Sequence, residues 1–252
     1  MQRITTALLV ASALSTAASA EDEKNWTGFY AGVGGAIVSA DSDTSTSVAE
    51  GLSDTPFVFS NDSSKEAFEL MLGYKKDFGP VVVGFELRPT FGGSSSASFS
   101  EERPLFQGAP DFLTINTDVD VETKFKGSLM ATLGVPVSNR FLFEVGGGFA
   151  QAKVSSQGSL SGPYDFFDAT IREDWGSFRG SETKTSFIWD VRGTYRVTDS
   201  FSVTARYFQA DFGSMTGTAT LGPDLDLGGG ELFPLETSSK TSGFGVNVTY
   251  SF

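Results

Sequence analysis

The last ten residues of the chain restrict its fold more than any other segment. Within 243–252, every second side chain is apolar and the side chains between them are small or polar. The apolar positions are Phe244, Val246, Val248, Tyr250 and Phe252. Because successive side chains of a β-strand point to opposite faces, this segment predicts a strand with one apolar face and one polar face.

The same alternation recurs through the chain in runs of about ten residues that are separated by turn residues. We predict eight strands, near 27–39, 65–77, 81–92, 121–135, 141–153, 184–197, 201–212 and 240–252. The sequence has 252 residues, and we find no tandem repeat and no linker between two compositions. Residues 21–252 are therefore expected to form a single domain.

The predicted connections alternate in length. Three are short, at 78–80, 136–140 and 198–200. Four are long and rich in Gly, Ser, Thr and Asp, at 40–64, 93–120, 154–183 and 213–239. Short turns at one end and long loops at the other are typical of membrane barrels. The sequence therefore predicts an all-β fold, an eight-stranded antiparallel up-and-down transmembrane β-barrel.

The N-terminal segment has the pattern of a secretory signal peptide. Arg3 precedes a mostly apolar stretch over 4–18, and Ala18-Ser19-Ala20 provides a small-x-small cleavage site. We therefore expect residues 1–20 to be removed during export, and we disfavour a membrane anchor because the apolar run is short. No other segment reaches the roughly 18 apolar residues of a membrane helix, so a membrane-spanning mature chain requires a closed barrel.

Aromatic residues occupy both ends of the predicted apolar faces. This placement indicates that the apolar face points toward lipid, with an aromatic girdle at each membrane interface. At the end with the long loops we expect Phe68, Phe91, Phe125, Phe149, Phe187 and Tyr207. At the end with the short turns, the predicted aromatic girdle consists of Phe29, Tyr74, Phe141, Tyr195, Phe201, Tyr250 and Phe252.

The polar faces carry charges of both signs near the middle of the strands. In a barrel of eight strands the lumen is only wide enough to be filled by side chains, so these charges should pair. The alternative is a narrow path for ions, which an unpaired basic series such as Arg192, Arg196 and Arg206 would favour. The predicted lumen cluster consists of Glu69, Glu86, Arg88, Lys124, Lys126, Glu144, Asp190, Arg192, Arg196 and Arg206.

Composition excludes several functions. The formal net charge of −13 disfavours nucleic-acid binding, and the absence of cysteine excludes disulfides. Histidine is the commonest general base because its pKa lies near neutrality, and this chain has no histidine. We therefore expect no enzyme activity, no catalytic residues and no cofactor, although a Ser–Lys or paired-carboxylate site is formally conceivable.

Two predicted loops are strongly acidic, and such loops are candidates for Ca²⁺ or Mg²⁺ binding. Their residues match neither the spacing of an EF-hand nor a nonapeptide calcium repeat, so we assign no metal ligands. The alternative interpretation is that the loops are simply solvated. The acidic residues are Asp41, Asp43, Glu50, Asp54 and Asp62 in the first loop and Asp224, Asp226, Glu231 and Glu236 in the fourth.

The N-terminal run NWTGFYAGVGG at 25–35 resembles the first strand of the outer-membrane β-barrel family. That family includes small porin-like surface antigens of Gram-negative bacteria and the transmembrane domain of OmpA. The final strand, ending in Phe252, resembles the signal that the barrel-assembly machinery reads. The resemblance implies a bacterial outer-membrane location and contact with outer-membrane lipid and lipopolysaccharide.

Function is less narrowly predicted than fold. Activities vary within the family that this chain resembles. We expect no periplasmic peptidoglycan-binding domain, because the sequence ends at the eighth predicted strand. The first hypothesis is a structural or surface-interaction barrel whose lumen is filled by charged side chains. The second is a narrow porin-like channel for ions or very small solutes, and the third is a soluble periplasmic carrier.

Overall fold

The computed structural model describes residues 25–46, 57–104, 114–165, 168–221 and 235–252. Within these ranges no helix is long and apolar enough to cross a membrane. The predicted signal peptide lies outside the described residues. The strands are β1 Gly28–Thr46, β2 Phe57–Asp77, β3 Val82–Gly92, β4 Ser94–Pro104, β5 Thr114–Pro136, β6 Phe141–Asp165, β7 Asp168–Arg196, β8 Phe201–Leu221 and β9 Leu235–Ser251.

The strands close into a ring. Neighbours follow the order β3-β2-β1-β9-β8-β7-β6-β5, and β3 also pairs with β5. Strands β3 and β4 share one position in the ring, because both pair with β5. Strand β3 pairs with 127–134 of β5, and β4 pairs with 114–124. The ring therefore has eight strand positions with antiparallel neighbours, as the sequence predicted.

Alternating side chains give the ring an apolar outside and a polar inside. Val33, Phe85 and Phe244 are exposed to 50%, 62% and 51% on the outer face. Arg88 and Glu144 are fully buried on the inner face. An apolar outer band around a polar interior is the arrangement of a barrel surrounded by lipid, and it confirms the predicted fold class.

The three short turns are also where the sequence predicted them. Residues 78–81, 137–140 and 197–200 join consecutive strands at one end of the barrel. Two of the turns close in the same way, because Val137 N–H donates to the Phe141 carbonyl and Val197 N–H donates to the Phe201 carbonyl, both at 2.9 Å. Both chain ends of the ring lie at this short-turn end.

The prediction of four long loops was wrong over most of their length. Strands continue far into these segments and form long hairpins, as where β6 runs to Asp165 and β7 begins at Asp168. Alternation persists there with mostly polar side chains, since Ser42 and Thr44 are buried while Asp43 is exposed. Polar composition suggested loops, whereas backbone pairing and β-branched Thr favour strands.

A break in the wall separates β3 from β4. Gly92 and Gly93 have φ angles of +78° and +65°, which favour glycine, and the chain bends there. Opposite this bend, β5 carries a bulge, because Phe125 pairs with Ala152 while Gly127 pairs with Gln151. The extra residue reverses which positions of β5 face inward on the two sides of the bulge.

Candidate functional site

Six charges of alternating sign form a continuous chain across the lumen. Arg192 contacts Glu86 at 2.9 Å and also pairs with Asp190. Arg88 binds Glu86 and approaches Glu69 at 3.8 Å, and Arg206 completes the series at Glu69. Every member is buried. This ionic chain, Asp190–Arg192–Glu86–Arg88–Glu69–Arg206, has as many acids as bases and connects β7, β3, β2 and β8.

A second buried pair lies beside the ionic chain. Lys75 Nζ on β2 contacts Glu144 Oε2 on β6 at 2.8 Å, and the Thr194 hydroxyl donates to the same oxygen at 3.2 Å. Tyr30 donates its hydroxyl hydrogen to Glu86 at 2.7 Å. Charges are therefore balanced within this layer of the lumen, which is the condition under which buried ions are tolerated.

Two residues of the predicted lumen cluster lie elsewhere. Lys124 and Lys126 are exposed on the outer wall, so their assignment to the lumen was wrong. The bulge at Phe125–Gly127 explains the error, because an uninterrupted alternation from Ser128 places both lysines inside. The same reversal turns Phe125 inward, where it is buried, whereas the sequence placed it in the outer girdle.

An apolar layer lies above the ionic chain, toward the long hairpins. Phe125 on β5 packs against Phe208 and Phe212 on β8, with ring centroids 5.8 and 6.3 Å apart. The Arg206 guanidinium lies 4.2 Å from the centre of the Phe208 ring and joins the two layers. The other members of the layer are Ala36, Val38, Ala67, Met130, Ala150, Ala152, Ile188 and Ala210.

Sequence reasoning missed this apolar layer, although part of it was readable. Positions 206, 208, 210 and 212 share the inward face of β8, and their side chains change from Arg to Phe, Ala and Phe. Apolar residues on a predicted lumen face are a signal for a dry interior layer. The contribution of Phe125 was hidden by the bulge.

A hydroxyl layer narrows the lumen beyond the apolar layer. Thr123 on β5 and Ser239 on β9 lie within 3.2 Å, oxygen to oxygen, although their strands occupy opposite positions in the ring. Thr44 and Thr237, which are direct partners on the neighbouring strands β1 and β9, add a second hydroxyl contact at 3.2 Å in the same layer. The barrel is therefore narrow enough here for small polar side chains to meet across it.

The short-turn mouth is covered by Trp26. Its side chain is buried against Val82 and Leu142, and its backbone N–H donates to Asp77 at 3.0 Å. The Arg196 guanidinium stacks 3.9 Å from the Trp26 ring, so Arg196 lies at this mouth and outside the ionic chain. A cavity of about 340 Å³ lies between Trp26 and the ionic chain.

The seven predicted girdle residues lie together on the outer surface at the short-turn end, exposed or half-exposed. Several are in contact: Phe29 with Tyr74 at 4.8 Å, Phe201 with Tyr250 at 5.2 Å, and Tyr250 with Phe252 at 5.1 Å between ring centroids. Phe141 pairs with Tyr195 across neighbouring strands.

The acidic segments do not assemble a metal site in the part of the chain that the structure describes. Asp41 and Asp62 are directly opposed on β1 and β2, and Asp41 also lies opposite Lys240 on β9. Five of the acidic residues lie outside the described ranges, namely Glu50, Asp54, Asp224, Asp226 and Glu231.

Known proteins provide a comparison for this architecture. OprG from Pseudomonas aeruginosa is 12% identical, with 92% of this chain and 99% of OprG covered and a TM-score of 0.47. The attachment invasion locus protein Ail of Yersinia pestis is 13% identical, with 87% and 99% covered and a TM-score of 0.30. The outer membrane protease OmpT from Escherichia coli is 12% identical, with 94% and 100% covered and a TM-score of 0.42.

Among curated protein sequences, none matches this chain. The family described as outer membrane protein beta-barrel domain matches residues 6–252, nearly the whole sequence. This match implies a location in the bacterial outer membrane. The chain belongs to the outer-membrane β-barrel family.

Proposed function

We propose that this protein is a closed structural barrel of the outer membrane that presents its long hairpins for surface interactions. Its export is attributed to the signal peptide predicted over 1–20. Barrels of this kind place their short turns in the periplasm, so the long hairpins face the cell exterior. Asp41, Asp43, Asp118 and Asp120 are exposed on these hairpins and give them an acidic outer surface.

The stacking of three layers inside the lumen is the observation that carries this proposal. The ionic chain, the apolar layer and the hydroxyl layer succeed one another along the barrel, and each is built from side chains of several strands. A permeating ion would have to displace paired charges and then cross a layer of phenylalanine rings, which is costly without water or counter-charge. The cavity behind Trp26 ends at the ionic chain.

The same contacts argue against catalysis. Glu69, Glu86, Asp190 and Glu144 each pair with an arginine or lysine, so none is held ready as a general base. The sequence also provides no histidine. We therefore propose a non-enzymatic role.

Planar bilayer recordings of the refolded protein test the proposed closure. We expect no single-channel steps above background from the wild-type chain. The pair Glu86→Ala with Arg88→Ala removes one acid and one base from the ionic chain, and the pair Phe125→Ala with Phe208→Ala empties the apolar layer. Each double variant retains one of these two layers together with the hydroxyl layer and should remain closed, whereas the quadruple variant retains only the polar hydroxyl layer and should conduct.

Regular conductance steps from the wild-type barrel would overturn the proposal and support the narrow-channel alternative. Each variant is first checked for the gel shift on heating that folded barrels show. Leu129→Ala with Leu133→Ala is the matched control for lost side-chain volume, because both leucines are on the outer face. This control should leave the lumen closed.

A further inference from the structure

Three lysines form a cluster on the outer wall near the break between β3 and β4. Lys124 and Lys126 lie on β5, and Lys153 lies on β6. All three are exposed, and Lys124 is the direct cross-strand partner of Lys153. We call Lys124, Lys126 and Lys153 the lysine triplet.

The lysine triplet is not neutralised by its neighbours. No ion pair joins any of the three to a carboxylate within the described ranges, and Lys126 Nζ donates only to the Thr183 hydroxyl, at 3.3 Å. Glu122 is exposed two residues from Lys124 and offsets part of this charge, but its carboxylate accepts a hydrogen bond from Ser94 and forms no ion pair with the three lysines. Like charges directly opposite each other destabilise a sheet, so an anion bound here would stabilise this part of the wall.

An apolar groove begins directly beneath the lysine triplet. It has a volume of about 310 Å³ and is lined by Lys126 together with Leu87, Leu129 and Phe149. The three apolar side chains are at least half exposed, so the groove opens on the lipid side of the wall. It lies where Pro89 and the β5 bulge interrupt the strand pairing.

The depth of the lysine triplet along the barrel suits a lipid headgroup. Lys126 is the first outward side chain beyond Leu129, and Lys153 lies four residues beyond Phe149, a rise of about 13 Å along the strand. The triplet is therefore just past the apolar band on the side of the long hairpins. In barrels of this kind that side faces the outer leaflet.

We infer that the lysine triplet and the groove bind a phosphorylated glycolipid of the outer leaflet, the lipid A portion of lipopolysaccharide. The ammonium groups hold its phosphates, and one acyl chain lies along Leu87, Leu129 and Phe149. The site is on the opposite side of the wall from the lumen. It therefore goes beyond the proposed closure and can fail or succeed independently of it.

Lipid titration followed by native mass spectrometry tests the site on the refolded chain in detergent. Replacing the lysine triplet by glutamine should weaken binding of bisphosphorylated lipid A by about a hundredfold, because each basic residue near an anionic surface is expected to strengthen binding about fivefold. Dephosphorylated lipid A should bind the wild-type chain as weakly as bisphosphorylated lipid A binds the variant. Replacing the triplet by arginine should preserve binding.

The matched control replaces three other exposed lysines, Lys65, Lys76 and Lys240, by glutamine, which changes the net charge by the same amount. This control should bind lipid A like the wild type. Equal weakening by the two glutamine triples would assign binding to overall charge and overturn the inference. Tight binding of dephosphorylated lipid A, or unchanged binding by the triplet variant, would also overturn it.

Discussion

Replacing Glu86 with glutamine should destabilise the folded barrel by about 3–5 kcal/mol, because it leaves an uncompensated positive charge in the lumen. Glu86 pairs closely with both Arg88 and Arg192, whereas Glu69 pairs closely with Arg206 alone and lies 3.8 Å from Arg88. The free energy of unfolding would be measured by urea titration of the protein refolded into lipid vesicles. Tryptophan fluorescence reports the transition.

A compensating variant separates charge balance from other effects of this substitution. Combining Glu86→Gln with Arg88→Met leaves two complete pairs, Asp190–Arg192 and Glu69–Arg206. This double variant should recover most of the lost stability. Glu66→Gln, at an exposed carboxylate, is the control and should change little. If the double variant is less stable than Glu86→Gln alone, the charge-balance argument is wrong.

Replacing Gly148 with alanine should cost about 3 kcal/mol or more, the upper part of the range for overpacking. A Cβ atom at Gly148 would lie 2.0 Å from the Leu129 carbonyl oxygen and 2.7 Å from the Met130 Cα. Both are backbone atoms of the neighbouring strand, so the clash can be relieved only by moving β5 away from β6. The yield of heat-modifiable folded protein and the urea midpoint should both fall.

The adjacent glycine provides the control for this substitution. A Cβ atom at Gly147 points to the outer face and meets only the Phe187 ring, at 3.3 Å. That ring is 60% exposed and can shift. Gly147→Ala should therefore fold like the wild type. Equal losses for the two alanine variants would indicate that glycine flexibility, and not close packing, is required in this segment.

The ring of strands, and which side chains point outward or inward, could be predicted because both depend on a local pattern. Alternation with a period of two residues determines which side chains share a face, and it is visible in any run such as 243–252. The short turns could also be predicted from local sequence, since only a few residue types favour the tight turns that connect two antiparallel strands. Six acids and bases of the predicted lumen cluster formed the ionic chain for the same reason.

The predictions from the sequence were wrong where one inserted residue shifted the alternation of a strand, or where a polar composition made a strand resemble a loop. One extra residue at the β5 bulge reversed the facing of Lys124, Lys126 and Phe125, and no local signal other than Gly127 marks it. The serine- and threonine-rich hairpins have few of the apolar residues that identify strands within lipid. Their pairing depends on backbone hydrogen bonds, which any sequence can make.

Contacts across the lumen could not be read from the sequence at all. The approach of Thr123 to Ser239 depends on the width of the barrel, and the stacking of Arg196 on Trp26 depends on how the N-terminal segment crosses the mouth. Both contacts involve residues that are far apart in the chain. Periodicity determines the face of a side chain but not its partner on the other side of the ring.

The pairing of β1 with β9 has a kinetic consequence. Tyr30 lies beside Ser251, so this last ladder joins the two ends of the part of the chain that forms the barrel. Hairpins between consecutive strands can form early because the loops that they close are short, while the β1–β9 contact closes the longest loop and raises the contact order. Until it forms, the sheet has two unpaired edges that can join other chains. Completion of the barrel is therefore expected to be the slow, late and most aggregation-sensitive step of its assembly.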